Sequence, residues 1–237
     1  MTSLRAAVDS EFSEAVRSFL SAHSEILCVG GRFTIKKSPC NVRLPSKLTR
    51  NLCWLIGILQ GDGNINGTRI LISEQEERFH VEIGRAFRAL FGISFHKYHD
   101  IARNTYYYVK SKIVSTFLKE VFGLPDGRKM RLGVPVFIQR SELVLRAAYL
   151  GGVFDAEGFV SKRQAAIALS ISSKAIAKFV HRTLSELGVH NTMRGRSRSR
   201  RRSEYLVEIY GKKRVNLFHK RIGFRHPVKV IQSRYDR

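Results

Sequence analysis

The chain has 237 residues, 43% of them hydrophobic, which is enough for a sizeable core in one or two compact units and too apolar for disorder throughout. Its 42 Lys and Arg against 19 Asp and Glu give a formal charge of +23, which points to a polyanionic partner, with nucleic acid leading. With no apolar run of membrane-spanning length, no basic helix with a lipid-facing stripe, and Asp9, Glu11 and Glu14 where a targeting peptide avoids acids, the expectation is an intracellular protein with no membrane partner.

Residues 1–45 stand before a repeated pattern. Phe12, Val16, Phe19 and Leu20 recur at helical spacing behind Ser10, predicting an amphipathic helix over 10–22. Ile26 to Val29 and Arg32 to Ile35 flank Gly30-Gly31, a hairpin signal. This extension, with Arg32, Lys36, Lys37 and Arg43, either packs on the first repeat or extends a nucleic-acid contact. The three cysteines, Cys28, Cys40 and Cys53, form no zinc or disulfide pattern and are expected to be reduced and mostly buried.

The first repeat spans 46–123. Ser46 or Thr49 caps a helix that runs through Trp54 to Asp62 and ends in LIGILQGDG, residues 55–63. Strands at 64–66 and 69–73 turn at Gly67, with Ile70 and Ile72 on one face and Arg69, Leu71 and Ser73 on the other. A helix over 76–91, with Phe79, Ile83, Phe87 and Leu90 inward, ends at Gly92. Strands at 94–99 and 105–110 and a helix over 111–122, closed by Gly123, complete the repeat.

Residues 124–140, with Pro125, Gly127, Gly133 and Pro135, read as a linker whose Arg128, Lys129 and Arg131 could touch a duplex backbone. A second repeat over 141–223 replays the order. Its first helix, 141–157, ends in LGGVFDAEG, residues 150–158. Strands at 159–163 and 165–172, a helix over 173–187, strands at 191–196 and 203–210 and a helix over 211–222 come next, and Gly188 and Gly223 answer Gly92 and Gly123. Residues 224–237 read as a basic tail. The His190-Asn191 pair is similar to an intein's C-terminal junction but lacks a splicing nucleophile block, so it is taken as a strand start. The regular repeat predicts an α+β, pseudo-twofold fold.

In each nine-residue stretch small residues lie one turn apart, Gly57 with Gly61 and Gly152 with Ala156, so two such helices can pack backbone to backbone. Asp62 and Glu157 would then be neighbours, just before Gly63 and Gly158, glycines suited to the left-handed position after a helix. Two carboxylates there oppose the helix dipoles and each other. A divalent cation relieves both, and an oxygen pair with open positions suits Mg²⁺ and phosphate oxygens, the equipment of phosphodiester hydrolysis.

Both stretches resemble the LAGLIDADG motif of the homing endonucleases, in its two-copy, single-chain form. Leu55, Gly57, Asp62 and Gly63 match the first copy. Leu150, Gly152, Asp155, Ala156 and Gly158 match the second, with Glu157 in the catalytic-acid place. Gln60 stands where the family has its first Asp, and Gly61 where it has Ala, which bears on a local helix-end hydrogen bond rather than on the chemistry.

The resemblance covers residues 46–223. It implies αββαββα in each half, with antiparallel sheets forming a DNA-binding saddle and the motif helices at the interface. It further implies a monomeric, site-specific endonuclease that makes a double-strand break in a long asymmetric double-stranded DNA target, supporting intron mobility. Mg²⁺ would be the cofactor, Mn²⁺ a substitute, and Ca²⁺ a support for binding without cleavage.

On that resemblance Asp62 and Glu157, helped by the backbone carbonyls of Gly61 and Ala156, would hold the metal ions. Lys112 and Lys212, each opening the last helix of a repeat, would be the basic catalytic residues, and Glu74 or Gln75 would position water. Arg69, Lys97, Lys110, Lys162 and Arg163 on predicted strands, with Arg194 and Arg196, would contact DNA. The Arg-rich stretch 194–202 would tip the last hairpin, with 198–202 a phosphate-binding loop. The same scaffold also resembles intron maturases, so the alternative is a splicing cofactor bound to intron RNA. A non-catalytic regulator of this fold is expected to lose an acid or add a helix-turn-helix, and neither is evident.

Overall fold

A computed structural model describes residues 4–35, 41–74, 76–99, 105–126, 132–199 and 202–233. Helix α1 (Leu4–Ala22) starts more than a turn before the predicted Ser10, because Val8 extends the inward stripe of Phe12, Val16 and Phe19 by one further i,i+4 step. Strands β1 (Ile26–Val29) and β2 (Arg32–Ile35) form the expected hairpin, with Gly30 and Gly31 both at positive φ. Cys28 is exposed on β1, against expectation, while Cys53 is buried and its thiol is pushed up to about 12 by that burial.

The first repeat runs α2 (Arg50–Gly61), β3 (Gly63–Asn66), β4 (Arg69–Ile72), α3 (Glu77–Phe91), β5 (His96–His99), β6 (Thr105–Lys110) and α4 (Lys112–Phe122). Side-chain oxygens of Thr49 and Ser111 cap α2 and α4 by accepting from Leu52 N and Val114 N, and left-handed Gly92 and Gly123 end α3 and α4. The sheet has the order β3-β4-β6-β5, antiparallel throughout. The N-terminal extension packs on this repeat: the Phe12 ring lies 5.7 Å from Phe122, and Phe19 lies 5.5 Å from Phe117.

A short helix α5 (Val136–Arg140) precedes the second repeat, which runs α6 (Leu143–Glu157), β7 (Gly158–Ser161), β8 (Ala166–Ile171), α7 (Lys174–Glu186), β9 (Thr192–Ser199), β10 (Arg202–Tyr210) and α8 (Lys212–Arg221). Its sheet order, β7-β8-β10-β9, repeats that of the first. The strands β9 and β10 pair as far as Ser199 and Arg202, so most of the Arg-rich stretch is ladder rather than loop; residues 200–201 lie outside the described residues. Alternation of Arg with small residues has the strand period of two, and pairing with β10 satisfies the backbone groups on the inner side of this edge strand.

The described parts of the expected linker and tail, 132–140 and 224–233, are both structured. Leu132, Val134 and Ile138 join the core, and Pro227 opens a helix α9 (Pro227–Gln232) much as Pro135-Val136 opens α5. The repeat therefore extends one element beyond Gly223. Arg128, Lys129 and Arg131 lie outside the described residues. Asn191 is a buried structural amide that accepts from His181 Nδ1 at 2.6 Å and donates to the Val189 carbonyl at 3.0 Å, ahead of β9.

Helices α2 and α6 cross at the centre, with every residue of α2 from Leu52 to Gly61 buried. A methyl placed on Gly57 would lie 2.8 Å from Val153 N, and one placed on Gly152 would fall on the Trp54 carbonyl. Backbone faces backbone on both sides, so neither helix can yield without moving a sheet. Gly152→Ala is therefore expected to lower stability by about 2–3 kcal/mol, the upper part of the range for overpacking, read from the urea midpoint at unchanged m-value. A loss below about 0.5 kcal/mol, the scale of ordinary surface substitutions, would disprove the close crossing.

Candidate active site

The crossing brings the two acid-bearing helix ends together. A methyl on Gly61 would press on the Ala156 Cβ and lie 3.1 Å from the Glu157 Cγ, so the last turns touch. Asp62 caps α2, its N–H donating to the Ile58 carbonyl at 2.9 Å, and Glu157 is the last residue of α6. The glycines after these acids are not left-handed as expected: neither is among the positive-φ glycines, and Gly158 has φ −79° and ψ 150°. They are small for another reason. A Cβ on Gly63 would lie 2.6 Å from the Leu59 Cα, and one on Gly158 would strike the Phe154 carbonyl, so each lets the chain turn from helix directly into strand.

Two cross-helix hydrogen bonds, related by the repeat, lock the pair. Trp54 and Tyr149 each stand eight residues before an acid, and Gln60 and Asp155 each stand two before one. Trp54 Nε1 donates to Asp155 Oδ2 at 2.7 Å, and the Tyr149 hydroxyl donates to Gln60 Oε1 at 2.5 Å. The Gln60 departure thus keeps its bond. Gln60 also donates from Nε2 to the Gly133 carbonyl at 2.8 Å, which a carboxylate could not do. Asp155 receives donors only, adding Arg225 N and His226 N, each at 3.0 Å to Oδ1.

The segment after Gly223 therefore completes the site, a role that its basic composition alone did not reveal. Arg225 lies with its guanidinium 4.5 Å from the Trp54 ring centre, and His226 Nε2 is 3.3 Å from Glu74 Oε2. Lys229 Nζ donates to the carbonyls of Phe154, Asp155 and Ala156 at 3.2, 2.5 and 3.2 Å, ending α6. Burial pushes the Lys229 amine down, opposed by the carboxylates of Asp155, Asp62, Glu74 and Glu157. Burial likewise pushes the Asp155 carboxyl up, opposed by its Trp54, His226 and Arg225 donors and by Lys229. A sequence signal existed, since Pro-Val recurs at 135–136 and 227–228.

Of the other candidates, Lys112 and Lys212 both open the last long helix of a repeat as expected, and both are exposed. The ion partner of Lys112 is Glu25 of the N-terminal extension, at 3.5 Å, rather than a motif acid. Glu74 pairs with His226 of the C-terminal segment, and Gln75 falls outside the described residues.

Each sheet buries one face and leaves the other open. On the first, Arg69, Leu71, Tyr108 and Lys110 share the open face with Asn64, Asn66 and His96; the Arg69 guanidinium lies 5.8 Å from the Tyr108 ring centre. Lys97 is a correction. It pairs with Tyr107, whose ring stacks on His80 of α3, so Lys97 points to the helix side and bonds Glu77 at 3.2 Å. Lys162 and Arg163 are a second correction: β7 ends at Ser161, which places both in the exposed turn before β8. On the second sheet Arg194 and Arg196 lie on the open face opposite Leu206 and Glu204, and Arg194 Nε is 2.9 Å from Glu208 Oε2.

The donor set at the joined helix ends, two carboxylates and two backbone carbonyls, is all hard oxygen and fits Mg²⁺. Among the described residues no group of three or more His, Cys, Asp or Glu is arranged to hold a metal, so ligands from a substrate would have to complete the shell.

Two αββαββα repeats joined by small-residue helices with an acid at each end define the two-copy LAGLIDADG fold. Residues 145–223 match the family described as LAGLIDADG-like domain. The fold is similar to that of the homing endonuclease I-DmoI: its complex with DNA and Mn aligns with TM-score 0.54 and 18% identity over 75% of this chain and 98% of that one. The N-terminal LAGLIDADG domain of DUF199/WhiA aligns with TM-score 0.51 and 11% identity over 77% of this chain and 86% of that one. A glutamine–fructose-6-phosphate aminotransferase of Methanocaldococcus jannaschii is 28% identical over 192 residues, 77% of this chain. The match spans only 17% of that protein's length. Among the described residues no helix is long and apolar enough to cross a membrane.

Proposed function

We propose that the protein is a DNA endonuclease that hydrolyses phosphodiester bonds on both strands of a duplex, with Asp62 and Glu157 as its metal-holding acids. The observation that carries this reading is the contact between two acid-bearing helix ends from different repeats, in a chain of charge +23 whose fold is shared with I-DmoI, which is solved with DNA and with Mn, Ca or Mg. A divalent ion there would supply an activated water and charge stabilisation at the scissile phosphate. Asp62 and Glu157 would hold it from opposite sides of the crossing, with the Gly61 and Ala156 carbonyls behind them. Mg²⁺ is the proposed ion, Mn²⁺ its substitute, and Ca²⁺ a support for binding alone.

The open sheet faces would lie in the major groove. There Asn64, Asn66 and Arg69 can meet base edges, while Lys110 and Arg196, and Lys162 and Arg163 at the turn, meet phosphates. The protein would act as a monomer, since both acids belong to one chain, and intron mobility would be the use of the break.

The test is a randomised plasmid library incubated with Mg²⁺, with Ca²⁺ in a parallel arm. Discrete breaks with Mg²⁺ and binding alone with Ca²⁺ are expected. No break anywhere in the library, together with tight binding to structured RNA, would replace this reading by that of an intron maturase.

Arg194 is held by the largely buried Glu208, which also accepts from the Tyr210 hydroxyl at 2.5 Å. Glu208→Ala removes a negative charge from the proposed DNA face and releases Arg194. The salt slope of nonspecific DNA binding is then expected to steepen by about 0.9, the equivalent of one further phosphate contact. An unchanged slope in fluorescence anisotropy would show that Arg194 does not meet DNA.

A further inference from the structure

On the helix side of the first sheet, away from the face proposed for duplex DNA, α3 and the strands β5 and β6 border an open cavity of about 350 Å³, within the range of small-ligand sites. One stripe of α3 forms its floor, with Val81, Gly84, Arg85 and Arg88 at i, i+3, i+4 and i+7. Phe95 and Lys97 line it from the strand side. Phe95 is half-buried, its ring edge-on to Phe87 at 4.9 Å, while Val81 is 48% exposed, an apolar side chain beside cations.

Gly84 is the part of this floor that packing does not explain. Glycine is among the poorest residues for a helix interior. Gly57 and Gly152 have backbone against them, whereas a methyl on Gly84 would meet only the Phe95 ring, at 3.5 Å, an ordinary contact. Nor is Gly84 among the glycines at positive φ. Its consequence is room, because a longer side chain there would stand in the cavity.

Three cations meet two acids around this space. Lys97 bonds Glu77 at 3.2 Å, Arg85 pairs with Glu82, and the Arg88 guanidinium donates to a neutral oxygen, the Ser94 hydroxyl, at 3.2 Å. A guanidinium can take a phosphate through two parallel hydrogen bonds, and an aromatic ring beside an aliphatic side chain suits a flat base. We infer that this cavity binds a free nucleoside monophosphate, with the phosphate on Arg88 and the base against Phe95 and Val81. The site is separate from Asp62 and Glu157, and the inference stands apart from the metal-binding reading of those acids.

The experiment is isothermal titration calorimetry of the full-length protein with AMP, adenosine and inorganic phosphate. The set is the wild type, Gly84→Leu and Arg88→Gln, with circular dichroism to confirm folding. Gly84→Leu keeps every charge and fills the cavity, and leucine favours a helix, so this variant should fold at least as well as the wild type. AMP is expected to bind the wild type about tenfold or more tighter than either fragment, and to lose about tenfold or more in each variant, the scale of one charge-assisted hydrogen bond. In a chain of charge +23 the competing outcome is loose attraction to the surface, which would persist in Gly84→Leu and bind AMP no tighter than phosphate. Either result overturns the inference, as does adenosine binding as tightly as AMP or no AMP binding by the wild type.

If Gly84→Leu fails to fold, Arg88→Gln and the wild type still decide. Nuclear Overhauser contacts between the adenine protons and the Phe95 ring are expected in the AMP-saturated wild type. Their absence at saturation would overturn the inference.

Discussion

Replacing Asp62 with asparagine, or Glu157 with glutamine, is expected to abolish double-strand cleavage while leaving the fold and DNA binding in place. Each change keeps the shape of the side chain and removes only its charge. A metal-held carboxylate contributes several kcal/mol of transition-state stabilisation, so each single variant should lose about 10²–10³-fold or more in rate. Stability should move by no more than about 1 kcal/mol, because each acid opposes a helix dipole and its removal is not a packing loss. Binding in Ca²⁺ should survive, since most of the attraction comes from cations on the sheet faces. Quantified cleavage of the site recovered from the library tests this, and full-rate cleavage by either variant would remove that acid from the mechanism. Because the acids come from different repeats, accumulation of nicked plasmid in one variant would show which strand each serves.

Asp155→Ala is expected to cost about 3–6 kcal/mol of folding stability, since it strands the Trp54 indole N–H and the backbone N–H groups of Arg225 and His226, each worth about 1–3 kcal/mol when left unpaired. A urea titration measures it. Asp155→Asn should fall between this variant and the wild type, because its amide oxygen still accepts but its NH₂ faces other donors. The same change should release the segment 224–233 from the site, so amide exchange in α9 should quicken well before global unfolding. A loss under about 1 kcal/mol would mean that the three donors find other partners, and that the C-terminal segment is not held through Asp155.

Much of the fold was legible because it rests on local signals. Period-two and 3.6-residue patterns set strands and helices, Thr49, Ser111 and Ser173 capped helices by their own side chains, and Gly30-Gly31 could only be a turn. The small residues of the two nine-residue stretches carried the central crossing, because only glycine lets helix backbones meet. Which face Lys97 takes was not legible. A strand side is set by register against its neighbour, and the pairing of Lys97 with Tyr107, stacked on His80, is a contact across sequence.

The same distinction separates the motif acids from what surrounds them. The sequence by itself determined that Asp62 and Glu157 end two helices able to touch, that two repeats carry them, and that the chain has a charge of +23, which favours a polyanionic partner. Only the tertiary structure decided that Gln60 serves as donor and acceptor at once, that Gly63 and Gly158 make room for their own helices, and that Arg225, His226 and Lys229 close the site from 70 or more residues beyond Asp155 and its neighbours. Composition and periodicity report what each residue does with its near neighbours. A hydrogen bond between distant segments depends on how sheets and helices stack, and the chain carries no local mark of it.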